Sequence, residues 1–166
     1  MILLTHAIVG AAAGRLVSNP LLSFALGFVS HFIIDAIPHW GYPLASVVSD
    51  EKSLIKKDMA LNRKFIKDLI LIGFDFSLGI ILAIFIFQGR AGFINTSIPL
   101  IMGALGGVLP DALQFAYLKI RREPLITLEK IHLAVHTKED YTTLSYGILS
   151  QIFVIIAAII ISKLIF

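Results

Sequence analysis

The chain has 166 residues, of which 57% are hydrophobic and only 15% charged, with a mean hydropathy of +0.89. Soluble domains average about 45 to 50% apolar and about 25% charged, so this composition excludes an ordinary water-soluble domain and a disordered chain alike. The absence of cysteine removes disulfide frameworks, thiolate zinc sites, iron–sulfur clusters and cysteine nucleophiles together, and the net charge of +3 is too small to mark a nucleic-acid surface.

A helix needs about 17 to 25 apolar residues to cross a bilayer core. Five stretches qualify. Residues 2–18 and 20–37 form two short ones, joined at Ser18-Asn19-Pro20, a turn sequence that closes one helix and opens the next. They are expected to form a helical hairpin that either spans the membrane or re-enters it. Ala11-Ala12-Ala13 resembles a signal-peptide cleavage site, but no Lys or Arg precedes the apolar run and His6 interrupts it. The third, fourth and fifth segments run over about 69–87, 92–118 and 144–166, leaving polar connections at 38–68 and 119–143. In the first connection, residues 50–67 interleave apolar residues with cations, which fits an interfacial helix or a solvated one. The expected fold class is all-α, a single polytopic membrane helix bundle over residues 1–166.

Lys52, Lys56, Lys57, Arg63, Lys64 and Lys67 lie in the first connection, and Lys119, Arg121, Arg122, Lys130 and Lys138 in the second. Only Arg15, Arg90 and Lys163 fall elsewhere. The positive-inside bias then puts both connections and the N-terminus on the cytoplasmic side of the inner membrane, and the C-terminus outside.

Ionisable groups inside apolar segments cost about 2.5 to 3.5 kcal/mol each on insertion scales and persist where they have a partner or a function. His6 lies in the first segment, His31 and Asp35 in the second, Asp75 in the third and Asp111 in the fourth; His39 follows the second, and His132 and His136 precede the fifth. At about 1.5 Å of rise per residue, His6, His31, Asp75 and Asp111 all sit roughly 6 to 10 Å below the same, cytoplasmic, face. His31 and Asp35 are one helical turn apart, as are His132 and His136, spacings that can aim two ligands at one ion. Nitrogen and oxygen donors of this kind suit a divalent metal, Zn²⁺ best, with Mn²⁺ possible. The competing account for any one histidine is a structural group with a single satisfied partner. Asp68 is expected to be an interfacial carboxylate paired with Lys64 or Lys67.

Gly10 with Gly14, and Gly103 with Gly107, form two GxxxG patterns that permit close approach of membrane helices. A fainter repeat spaces Gly27 from Asp35 as Gly103 is spaced from Asp111. Trp40 and Tyr42 fall where interfacial aromatics belong.

Thr5-His6 with Gly10 and Gly14, then Ser30-His31-x3-Asp35-x2-Pro38-His39-Trp40, then Leu109-Pro110-Asp111, resembles the YdjM-like family of LexA-regulated, inner-membrane metal-dependent hydrolases. The resemblance covers most of the chain and is most specific from His31 to His39. It implies distant similarity to zinc-dependent phospholipase C and the P1-type nucleases, which use H-x3-D, a following His and a later H-x3-E. His31, Asp35, His39 and His132 match that pattern, whereas position 136 is His where those enzymes have Glu. Their N-terminal Trp ligand also has no counterpart, because the chain begins at Met1.

The function expected is metal-assisted hydrolysis of a phosphoester in a membrane lipid or another amphiphile. His6, His31, Asp35, Asp111, His132 and His136 would hold one to three metal ions, with His39 a ligand or proton donor and Asp75 a ligand or catalytic base. The alternative is a small metal-ion or proton-coupled transporter that uses the same cluster. A carrier site belongs near the bilayer midplane, whereas these residues gather toward one face.

Overall fold

A computed structural model describes residues 1–89, 97–137 and 144–165. Arg90, Lys138 and the start of the fourth predicted segment lie outside the described residues. The elements in order are α1 (Leu3–Gly14), α2 (Pro20–Asp35), β1 (Val47–Ser49), β2 (Lys57–Met59), α3 (Arg63–Gln88), α4 (Ile98–Tyr117), α5 (Leu125–Val135) and α6 (Leu144–Ile165).

Local chemistry accounts for most of the boundaries. Asn19 opens α2 by accepting hydrogen bonds from the backbone N–H groups of Leu21 and Leu22, with Pro20 already fixed in a helical φ at the first position. Asn62 caps α3 in the same way through Lys64. Gly89 ends that helix with φ at 63°, a left-handed conformation that glycine adopts without steric cost. No such cap stands before α1. Its first N–H groups are taken by Asp75 of α3, which accepts from Leu3 at 2.7 Å and Leu4 at 3.4 Å.

Two expectations change. Residues 50–67 do not form one interfacial helix: Val47–Ser49 pairs antiparallel with Lys57–Met59, and α3 begins only at Arg63. The β-branched Val47 and Val48 favour the strand, and Lys56, with φ at 53°, turns the chain back. The fold class is all-α as expected, and among the described residues the bundle carries one small β-hairpin. The hairpin is held to the end of α4 by Lys119 on Asp58 at 2.9 Å and Arg121 on Asp50 at 2.7 Å. Second, among the described residues three helices rather than five are long and apolar enough to cross a membrane: α3, α4 and the Ser145–Ile165 part of α6. The 12 residues of α1 and 16 of α2 rise only about 18 and 24 Å, short of the roughly 30 Å hydrocarbon core.

The bundle is apolar outside as well as inside. Phe74 of α3 is 67% exposed and Phe153 of α6 is 71% exposed, with Ile70, Ile81 and Phe85, and Leu149, Ile156 and Ile160, on the same outward surfaces. Water would not tolerate two such continuous faces, whereas lipid would.

Helix directions follow from the contacts. Asp75 meets Leu3 while Phe87, further along α3, lies under Arg15 at the other end of α1, so α1 and α3 are parallel. Gln151 reaches Thr5 and Ser162 reaches Ala12, which makes α6 parallel to α1 too. Gly10 and Gly14 face Gly103, and His6 faces Gly107, so α4 runs antiparallel to α1. Gly27 meets Gly103 and His31 meets Gly107, so α2 and α4 are parallel. The faint glycine-to-aspartate repeat is therefore the register of two helices in contact. Both GxxxG patterns meet at that crossing, where a Cβ on Gly14 would stand 2.6 Å from the Cα of Gly103.

Candidate metal centre

The crossing of α1, α2 and α4 decides where the polar side chains go. In the shared register, His6, His31, Asp35 and Asp111 all fall at the end of the bundle away from Asn19 and Ser97. One donor atom from each of these four residues lies within 4.8 Å of the others. Asp35, His39 and His136 form a second such group. Asp35 belongs to both and is fully buried.

Its two oxygens face different partners. Asp35 Oδ1 is 3.2 Å from His6 Nε2, 3.8 Å from His39 Nε2 and 3.0 Å from the Met1 amino group. Asp35 Oδ2 is 3.1 Å from His31 Nε2 and 3.0 Å from His132 Nε2. Asp111 closes the first group, with Oδ2 3.6 Å from His6 Nε2 and Oδ1 3.8 Å from His31 Nε2. The His6 and His31 rings stack with centroids 4.0 Å apart.

Two observations test whether these residues fit a metal. Among the described residues, Nδ1 and Nε2 of His6 and Nε2 of His31 are buried without a hydrogen-bond partner, although carboxylate oxygens stand at contact distance. Orphaned nitrogens are costly in an apolar bundle, and an ion is the usual remedy. The separations fit as well. Tetrahedral ligands about 2.0 to 2.2 Å from an ion are about 3.3 to 3.6 Å from each other. Each imidazole Nε2 lies 3.1 to 3.8 Å from one oxygen of each carboxylate, a different oxygen in each contact, and one atom from each residue lies within 4.8 Å of the others.

Backbone carbonyls set the ring orientations. His31 Nδ1 lies 2.8 Å from the Gly107 carbonyl, His39 Nδ1 2.7 Å from that of Ile37, and His136 Nδ1 2.8 Å from that of Thr137. Each Nδ1–H donates there, which leaves the Nε2 lone pair of His31 and of His136 for the centre, the arrangement in which ligating histidines are commonly held; that of His39 faces the Met1 amino group at 2.7 Å. The glycine at 107 thus lets α1 approach and orients a ligand from α2.

Two histidines outside the long helices differ in protonation. Burial and the neighbouring Met1 ammonium pull His39 down to about 4, so it is a neutral donor near pH 7. Burial works to lower His132, but its hydrogen bond to Asp35 and the charges of Asp111, Asp35 and Glu129 together outweigh it, and the net shift is upward. His132 is in neither ligand group, and its Nε2 lies 3.0 Å from Asp35 Oδ2.

Asp75 has backbone and side-chain partners of its own. Beyond the two α1 N–H groups it accepts the Tyr42 hydroxyl at 3.2 Å, and it joins neither ligand group. It ties α1, α3 and the 37–44 loop together beside the centre. Asp68 does not pair with Lys64 or Lys67; it accepts the N–H groups of Ala45 and Ser46 at 3.1 and 2.7 Å. Tyr42, expected only at a lipid interface, is spent on Asp75.

Two residues escaped the sequence reading. Gln151 of α6 accepts from the Ile2 N–H and the Thr5 hydroxyl and donates to the carbonyls of Trp40 and Gly147. It was legible as the lone amide in an apolar run. Glu129 of α5 is 2% exposed and lies one turn before His132. The sequence marks it only as one residue of the polar connection at 119–143.

No family model matches the chain, and no curated protein or solved structure matches it either.

Proposed function

We propose that the protein is a membrane-bound, metal-dependent hydrolase of a phosphoester in a lipid or another amphiphile. The observation that supports this most directly is Asp35, a buried carboxylate shared by two groups of ligating atoms. Two adjoining cation positions are the usual arrangement for displacement at phosphorus, where both the attacking and the leaving oxygen need charge stabilisation. Bound divalent ions, Zn²⁺ or Mn²⁺, would supply an acidified water and charge stabilisation at the phosphoryl group. His6, His31, Asp35 and Asp111 would hold one position; Asp35, His39 and His136 would hold the other. His132 would keep Asp35 oriented by donating to Oδ2. The resemblance to the YdjM-like hydrolases points the same way.

The alternating helix directions support five membrane segments, the two short ones sheltered by α3, α4 and α6. The cation-rich connections at the end of the bundle that carries the centre support a cytoplasmic placement of the centre and of the N-terminus. A substrate from the lipid plane would then meet the centre at the interface.

Metal analysis of the purified, detergent-solubilised protein is the first test, with more than one bound equivalent expected. Asp35→Asn should lose metal and turnover of short-chain phospholipids together while helix content is retained. Bound metal with no turnover on a broad phosphoester panel, accompanied by metal flux in proteoliposomes, would replace hydrolysis with transport.

A further inference from the structure

Beside the metal centre, α2, α4 and α5 leave a crevice of about 10 Å³, lined by Phe28, Phe32, Leu113 and Leu128 with Gln114, Glu129 and His132 on its polar side. That volume holds one water-sized group. Glu129 meets it with a single satisfied oxygen. Oε1 accepts from Gln114 Nε2 at 3.1 Å, whereas Oε2 is buried with no hydrogen-bond partner among the described residues. A buried carboxyl oxygen without a donor costs about 1 to 3 kcal/mol or more, so a position built this way invites a donor from outside the chain. The rings around it narrow the choice. Phe28 and Phe32 pack edge to face with centroids 5.3 Å apart, and Phe32 lies 5.9 Å from the His132 ring, so the crevice joins the histidines of the centre through aromatic walls. A carboxylate oxygen without a donor, buried beside two phenyl rings, favours a compact cation over a neutral hydroxyl because the hydrogen bond it forms is charge-assisted. The size of the crevice excludes a trimethylated nitrogen.

We infer that Glu129, Gln114, Phe28 and Phe32 form a headgroup subsite that takes a primary ammonium, so the amphiphile acted on at the adjoining centre carries an aminoalkyl group next to its phosphate. This rests on the hydrolase reading for the substrate's phosphate but not for the ammonium. His132 joins the two, since it lines the crevice and bonds Asp35.

The test is binding rather than turnover. Isothermal titration of the detergent-solubilised full chain would use three short-chain phosphonate lipids with identical tails and aminoethyl, trimethylaminoethyl or glycerol headgroups. The aminoethyl probe should bind about tenfold more tightly than the other two, as expected for one charge-assisted hydrogen bond. Glu129→Gln should bring it down to the level of the glycerol probe without weakening the latter. Equal affinities for the three probes in the wild-type protein would overturn the subsite, as would binding of none of them or an unchanged preference in Glu129→Gln. The wild-type series decides the matter even if that variant fails to fold. Absence of turnover on the hydrolysable counterparts, with the aminoethyl preference intact, would count against the hydrolase reading alone.

Discussion

Replacing Gly103 with alanine tests the link between helix crossing and metal centre. A Cβ at this position would meet the Gly10 carbonyl oxygen and stand 2.6 Å from the Cα and 3.0 Å from the N of Gly14. All three are backbone atoms, which no rotamer change can move aside. Ordinary contact begins near 3.4 Å, so α1 must retreat from α4 by at least 3.4 − 2.6 = 0.8 Å. Overpacking of this kind costs about 1 to 3 kcal/mol. The same retreat carries His6 away from His31 and Asp111, whereas metal sites tolerate only about 0.2 Å in ligand distance. Gly103→Ala should therefore lower stability in a denaturant titration in mixed micelles and weaken metal binding by about tenfold or more. Gly73 of α3 provides the control, since a Cβ there meets nothing within 4 Å. Gly73→Ala should be neutral or stabilising by up to about 1 kcal/mol, through helix propensity alone. If Gly103→Ala stays within about 0.5 kcal/mol of the wild type and keeps its metal, the crossing does not build the centre.

Metal stoichiometry should separate the two ligand groups: His136→Ala is expected to lose one equivalent and Asp35→Asn both, read by elemental analysis after gel filtration. Asp75→Ala should leave the N–H groups of Leu3 and Leu4 and the Tyr42 hydroxyl unpaired and cost about 1 to 3 kcal/mol, with the metal content of the folded fraction unchanged; a loss of metal at full stability would make Asp75 a ligand after all. Gln151→Leu removes a side chain with four polar partners and should lower the Tm of the apo-protein by several degrees. Because the folded His39 pKa lies near 4, below its unfolded value of 6.5, the folded state binds fewer protons, so its contribution is complete above pH 6.5 and is lost as pH falls toward 4. The apo-protein should lose stability over that window with a steeper slope than His39→Gln, and equal slopes would refute the assignment.

The residues themselves determined the membrane character, since apolar runs of this length and density have no other stable environment. They also determined the list of polar residues, because every buried ionisable group in an apolar segment needs a reason. Helical spacing put His31 and Asp35 on one face, and counting along each segment placed His6, His31, Asp75 and Asp111 toward one end. None of this required long-range contacts. What those residues do at that end depended on the crossing of α1, α2 and α4, which is set by glycines on three separate helices fitting against each other's backbones. That fit made Asp35 the shared carboxylate, set His132 against its second oxygen, and brought Asp75 to the first N–H groups of α1. The β-hairpin and the short lengths of α1 and α2 were likewise beyond local patterning. Strand pairing joins residues 8 to 12 positions apart, and a helix ends where a cap or a tertiary partner takes over its unpaired backbone groups. Glu129 shows the same division most plainly: it sits in a mixed stretch between Leu128 and Lys130, and only the packing of α5 against α2 and α4 removes it from water.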